Sequence, residues 1–329
     1  MMRLDLVIII SLLHAGLSVA QSKRAKTTQD IKEEIITLGA NDRIVYDQVV
    51  DEEREQVVVS LGNSIEVWQY TNAVLLKSWS GQKVISLAMN EEKIAGGTKD
   101  GHVLIWQRDG TLITEINLSG SPVTQLKFAI NGDVLAATDA GELLKLSVDA
   151  EKAMASLKIG VAITAIAISH DNKSILIGDA KGVIRTIDLE QMREIASHKV
   201  HKSWVRDISV DDDYLTSVGD DGKLTESSES LATVSKRGHS FAWLLCVDSY
   251  KTTRNAQRVV ATGASDGECV ISFPGGAYHS ALDVMINRIH LLEKRSPRMW
   301  FIAATHGRGI MIIPASTMKL RDATSTLFR

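Results

Sequence analysis

A recurring glycine-centred hairpin constrains this chain more than any other feature. Aligned on the turn glycine, the segments read GGTKDGHVLIW, AATDAGELLKL, IGDAKGVIRTI, SVGDDGKLTES, TGASDGECVIS and ATHGRGIMIIP, with glycines at 101, 141, 182, 222, 267 and 309. The intervals are 40, 41, 40, 45 and 42 residues. A further copy, VSLGNSIEVWQ, carries Asn63 in the glycine slot 38 residues before Gly101; Asn is the residue that, after glycine, best tolerates a left-handed backbone. Short runs rich in β-branched residues on either side of a brief polar interruption are the pattern of two strands and a tight turn. A helix is excluded. Gly96, Gly97 and Gly101 would each cost it about 1 kcal/mol, and the apolar spacing does not follow 3.6 residues.

A period of about 40 to 45 residues with several short strands per copy is a propeller period, one four-stranded blade each. Alternating runs precede the hairpins, VISLAM from 84, VTQLKF from 123, ITAIAI from 163 and VRDISV from 205, and these are expected as innermost strands. The expected fold class is therefore all-β, a seven-bladed β-propeller of four-stranded antiparallel blades. The blades fall at about 40–81, 82–120, 121–160, 161–201, 202–240, 241–280 and 281–322. In the last, Pro314 ends the third strand, and STMKLRD is a poor fourth. EEIITLGA, residues 33–40, has no place in the first blade, so 33–39 is expected to close the last blade as its outer strand, leaving 21–32 and 323–329 as tails. An uncovered edge there would invite aggregation.

Composition agrees with one large domain: 44% hydrophobic, 23% charged and four prolines is ordinary globular material. A net charge of −3 offers no global field for nucleic acid or an acidic membrane, so no nucleic-acid partner is expected and any such binding would have to come from a local patch. The first twenty residues read differently. Arg3, an apolar stretch from Leu6 to Leu17, and small residues Ser18 and Ala20 placed for cleavage make a secretory leader, with a retained signal-anchor or a plain apolar segment as alternatives. The stretch is too short for a comfortable membrane span, and a secreted or endomembrane-lumen location is expected, with the cytoplasm as alternative. Asn117-Leu118-Ser119 and Asn172-Lys173-Ser174 are glycosylation sequons, the second in an expected surface turn.

The repeats resemble the WD40 family over residues 33 to about 322. Trp68 and Trp106 stand where the family has its third-strand Trp, although Gln69 and Gln107 replace the Asp of the signature dipeptide, and only Asp188, after Ile187, matches it. Asp100 and Gly101 occupy the turn. The family's buried network joins a His, a Ser or Thr, an Asp and the Trp. That resemblance assigns structural roles to His201, Ser217 and Asp221 in blade five, which has Ser227 at the Trp position, and to His239, Thr262 and Asp266 in blade six, which has Ser272. Gly238-His239 is the intact Gly-His pair. With the Trp missing, both networks are expected to be incomplete and their turns less rigid.

No metal, cofactor or phosphate motif occurs, and no catalytic residue is assigned. GASDG, residues 263–267, fits a nucleophile elbow with Asp283 and His290 following, but it leads from strand to strand, whereas an elbow turns from strand into helix. Cys246 and Cys269 fall on the first and third strands of blade six, too far apart for a disulfide. The function expected is a non-catalytic protein-interaction platform, the alternative being a propeller enzyme or small-ligand binder at the channel mouth. Two binding regions are candidates. Trp204 and Arg206 lie near Asp220 and Asp221 on the face of the second-to-third strand turns, Trp and Arg being enriched at hot spots, unless Trp204 packs on the neighbouring blade. On the opposite face a basic sector, Lys251, Arg254 and Arg258 with Lys294, Arg295 and Arg298, is flanked by DEERE from 51 and DDD from 211; solvated loop charge is the alternative there.

Overall fold

The computed structural model describes residues 35–39, 42–118, 120–149, 152–212, 214–228, 231, 234–238, 242–252, 257–293 and 299–322. The expected leader, the tails 21–32 and 323–329, His239, Arg254, Lys294, Arg295 and Arg298 lie outside these. The described residues form strands joined by turns, with almost no helix, and all pairing is antiparallel.

Three sheets are plain four-stranded meanders. They run Val123–Phe128, Val134–Thr138, Glu142–Ser147, Lys152–Lys158; then Ile163–Ile168, Ser174–Asp179, Val183–Asp188, Arg193–Lys199; then Val205–Asp211, Tyr214–Gly219, Lys223–Ser228, Val234–Gly238. A fourth, Leu244–Lys251, Arg258–Ala264, Glu268–Phe273 and Gly276–Ala281, takes Lys319–Asp322 as a fifth strand. The last unit, Ile286–Leu292, Trp300–Thr305 and Ile310–Pro314, is completed by Ile36–Leu38, paired Ile36 to Ile312 and Leu38 to Ile310. The chain end therefore departs from expectation. Residues 319–322 do form a strand, but on the neighbouring sheet, because the edge of Ile310–Pro314 is already occupied.

The first two units also depart from a clean division. They share one sixteen-residue strand, Val74–Met89, whose first half pairs with Gly62–Gln69 and whose second half pairs with Lys93–Thr98, giving one seven-stranded sheet. A bend suffices at 81–83, with Lys83 at φ +58°.

Glycine sits at the turns for a spatial reason. Gly101, Gly141, Gly182 and Gly267 have φ between 78° and 89°, and their carbonyls accept hydrogen bonds from Leu118, Ile159, Val200 and Leu282 in the segment leading to the next unit. A Cβ on Gly182 would lie 2.3 Å from the His201 oxygen, so a side chain would be both strained and crowded. In the first unit the left-handed residue is Gly62, φ +82°, one position before the expected Asn63.

The core is layered between units. Apolar clusters join neighbouring sheets, for example Val57, Val59 and Tyr70 of the first unit with Ile302, Ala304 and Ile312 of the last. Cys246 and Cys269 are free and buried, both opposite Gly263 from the strands on its two sides.

Candidate interaction surface

The first strand of each unit sends polar side chains to the next unit's first strand at nearly the repeat interval. Asp47 accepts the Leu87 amide at 2.7 Å, Asp207 that of Val247 at 3.1 Å and Asp248 that of Leu291 at 2.9 Å. Ser86 donates to Val123 O at 2.8 Å, Thr124 to Ile163 O at 2.6 Å and Thr164 to Val205 O at 2.5 Å. Between last and first units, Asn287 Nδ2 donates to Val45 O at 2.6 Å. These bonds fix the spacing of a central space that two chambers occupy.

Arg288 stands where the chambers meet. Its Nε donates to Asp47 at 2.6 Å, one terminal nitrogen reaches Gln125 Oε1 at 3.1 Å, and the other lies 3.7 Å from Asp207. Burial alone would lower the guanidinium's pKa, but Asp47 and Asp207 outweigh it and hold the group charged. Burial pushes the Asp207 carboxyl up, with Arg288 opposing. Farther along, His290 lies 3.3 Å from both Glu52 and Asp248. Burial lowers its pKa, and the two carboxylates overcome that to raise it to about 9, so it carries charge at neutral pH.

Replacing Arg288 by Met is expected to destabilise by about 2 to 3 kcal/mol at pH 7, below the usual range for a broken buried pair because the chamber admits water. Without the cation the Asp207 pKa rises further. A carboxyl raised in the folded state contributes its stability below the unfolded value of about 4 and loses it as pH climbs through the folded value. The deficit should therefore narrow from pH 7 towards pH 4. Denaturant midpoints at both pH values measure it; equal deficits would remove Asp207 from the account.

The chamber on the His290 side, about 480 Å³, is lined by Asp47, Asp207, Asp248, Arg288 and His290 among others. Converging acids and a histidine there would suit a propeller enzyme, yet each of these carboxylates already accepts a backbone amide and pairs with Arg288 or His290. Among the described residues no group of three or more His, Cys, Asp or Glu could hold a metal ion. The elbow residues do not meet. Ser265 Oγ accepts the Trp243 amide at 3.2 Å, Asp283 is a left-handed turn residue, and His290 faces the chamber.

The opposite mouth, a chamber of about 400 Å³, is lined by Tyr46, Asp139, Trp204, Arg206 and His306 among others. Asp220 grips Arg206 with two bonds, 2.6 Å to Nε and 2.8 Å to a terminal nitrogen. The guanidinium carbon lies 4.7 Å from the centre of the Trp204 ring and 6.0 Å from that of Trp243. Trp204 is 38% exposed, Tyr46 45% and Trp243 53%. The expected pairing of Trp204 and Arg206 with Asp220 is thus in one place. Asp221 is elsewhere in function: its Oδ1 takes His201 Nδ1 at 2.9 Å and its Oδ2 the Lys202 amide at 3.0 Å. Burial raises the Asp221 pKa, but the Lys202 amide and His201 bring it below the usual range.

The blade-five network differs from expectation at its Trp position. His201 Nε2 bonds Ser217 Oγ at 2.9 Å, and Ser217 bonds Thr225 Oγ1 at 2.5 Å. Thr225, two residues before Ser227 on the same strand, supplies the fourth member, so the turn keeps a buried network despite the missing Trp. In blade six Thr262 is buried, and Asp266 accepts the Glu268 amide at 3.0 Å. Asp100 accepts from Thr98 at 2.6 Å and Lys83 at 2.8 Å, which together bring its pKa to about 2. Trp106 is buried, whereas Trp68 is half-buried and donates to Glu66 at 2.9 Å.

The basic sector is not an open cationic surface in its described part. Lys251 pairs with Asp212 at 2.8 Å; Arg258 lies 3.7 Å from Asp211 and 4.9 Å from the centre of the Tyr214 ring. The acidic loop of one blade neutralises the basic loop of the next. Sequence reasoning missed Tyr46 and Trp243 on the other face, and the signal was available: each is an aromatic at the entry to an inner strand, the position already used to single out Trp204.

The WD domain, G-beta repeat family profile matches residues 192–225, the stretch that holds His201, Ser217, Asp221 and Thr225. No curated protein matches the sequence. Among solved structures, one described as the structure of U3-55K aligns with a TM-score of 0.72 at 14% identity, covering 85% of this chain and 98% of that one. The computationally designed Ika8 protein aligns with a TM-score of 0.64 at 16% identity, covering 84% and 98%. Together with the repeated antiparallel sheets, these matches establish that the chain has the fold of a WD40-like β-propeller.

Proposed function

We propose that this chain is a non-catalytic protein-interaction platform, a closed ring of seven blades that engages its partner through the face bearing Tyr46, Trp204, Arg206 and Trp243. WD40 domains generally mediate protein–protein interactions. The observation that carries the assignment to this face is the clamp of Arg206 between Asp220 and Trp204 with Trp243 beside it. Asp220 holds the guanidinium in place before any partner arrives, so little side-chain entropy is left to lose on binding. Exposed Trp beside a half-buried Arg at the rim of a concave mouth are side chains of the kind that dominate interface energetics. Closure of the ring is supported by the contacts of Asp47–Asp51 with Ile286–Leu292 and by the Asn287 bond to Val45. We further propose that residues 1–20 direct the chain into the secretory pathway, on the pattern of Arg3, the apolar run and Ser18 and Ala20.

The test is affinity capture from the native compartment with the full chain, comparing Trp204→Ala and Trp243→Ala against Ile130→Ser, which changes a residue 81% exposed on the opposite face. Each tryptophan change should weaken the captured partner's binding by about thirtyfold or more, the hot-spot scale, while melting temperatures stay level. A partner held equally by both tryptophan variants and lost with Ile130→Ser would overturn the assignment.

A further inference from the structure

We propose that Asn172 is an N-glycan acceptor and that its glycan marks the loop face, opposite the aromatic mouth, as the solvent side of the assembled protein. The proposal rests on entry into the secretory pathway. Asn172-Lys173-Ser174 is a sequon, and the fold treats its three residues unequally. The turn is held by side chains outside the sequon and by backbone amides within it: Ser169 Oγ donates to Asp171 at 2.7 Å and accepts the Ser174 amide at 2.9 Å, Asp171 also accepts the Lys173 amide at 3.0 Å, and the Asn172 backbone amide donates to Ser169 O at 2.9 Å. The Asn172 side-chain nitrogen Nδ2 makes one long exposed contact, 3.3 Å to the His170 carbonyl, and the residue is exposed at φ +58°. The Ser174 hydroxyl takes no part in the turn. A sugar on Nδ2 therefore displaces nothing that holds the blade.

The second sequon is placed differently. Asn117 ends an outer strand in register with His102, and the next residue, Leu118, is buried and donates its amide to Gly101 O at 2.8 Å; a glycan there would stand against a repeat turn. In the transfer itself, Nδ2 of Asn172 forms a bond to the anomeric carbon of a lipid-pyrophosphate-linked oligosaccharide. The bond from that carbon to the phosphate oxygen breaks, the lipid pyrophosphate leaves with the electron pair, and Nδ2 loses one proton.

The full chain expressed in a eukaryotic secretory host should show an electrophoretic shift that N-glycosidase removes, leaving Asp at position 172 by mass spectrometry. The shift should vanish in Asn172→Gln and in Ser174→Ala, persist in Ser174→Thr, and persist in Asn117→Gln. Ser174→Ala keeps Asn172 in its left-handed turn, so an unchanged melting temperature separates loss of the sugar from loss of the fold. A chain recovered inside the lumen without sugar at 172 would overturn the proposal while leaving the targeting reading standing. For a chain found outside the lumen, residues 21–329 behind an unrelated cleavable leader decide it: a shift at 172 upholds the acceptor and rejects only the native leader, and no shift rejects the acceptor.

Discussion

A chain lacking residues 21–40 is expected to melt on the order of 10 °C below one lacking only 21–30, which should melt with the full-length protein. Among the described residues the difference lies in one short strand. Ile36, Thr37 and Leu38 pair with Ile312, Met311 and Ile310 along the edge of the last unit, and Leu38 is buried in the cluster that joins that unit to Val45, Val57 and Tyr70 of the first. Losing a buried leucine costs about 2 to 5 kcal/mol, and each ladder bond adds about 1 kcal/mol. Deletion would also bare the Ile310–Pro314 edge, five apolar residues with no charged one, so aggregation should accompany the fall. Thermal melting followed by circular dichroism, with light scattering beside it, reads both effects. If the two truncations melt together, some other segment covers that edge, and the N-terminal strand is dispensable.

The repeat was legible because its physics is local. A turn that needs left-handed glycine at Gly101, Gly141 and Gly182 leaves a mark in the sequence at each copy, and alternation around it gives the strands. What could not be read was decided by contacts between copies. Asn63 looked like the turn residue of the first blade, but the crowding of Gly62 against Tyr46, where a Cβ would lie 2.8 Å from the ring, makes Gly62 the residue that must lack a side chain. Lys319–Asp322 looked like a failed outer strand because its own blade was considered alone; the free edge it meets belongs to Gly276–Ala281. The candidate surface followed the same rule. Trp204, Arg206 and Asp220 lie within one blade and were found together, whereas Tyr46 and Trp243 come from other blades. Arg288 reaches Asp47, Gln125 and Asp207 on three different units, and no linear spacing announces such a contact.

Trp106→Ala should destabilise by about 3 to 5 kcal/mol through a cavity that its neighbours cannot fill. Trp106 is 3% exposed among Val58, Ile65, Val84, Leu87 and Ile94, and meets Trp79 edge-on at 6.0 Å between ring centres. Trp68→Ala, at the equivalent place in the preceding blade, removes a half-buried ring and should cost less. Gly96 explains why the site is so sensitive. A Cβ there would fall 2.8 Å from the Trp106 ring, so the indole occupies the room a side chain would take. Gly96→Ala alone should therefore destabilise by about 1 to 3 kcal/mol through overpacking. In the Trp106→Ala background the same methyl enters the vacated space, and its cost should disappear, a coupling of about 1 kcal/mol or more in the double-mutant cycle. Denaturant midpoints followed by circular dichroism measure all four corners. Strict additivity would show that the blade relaxes into the cavity and that the fit between Gly96 and Trp106 does not decide its stability.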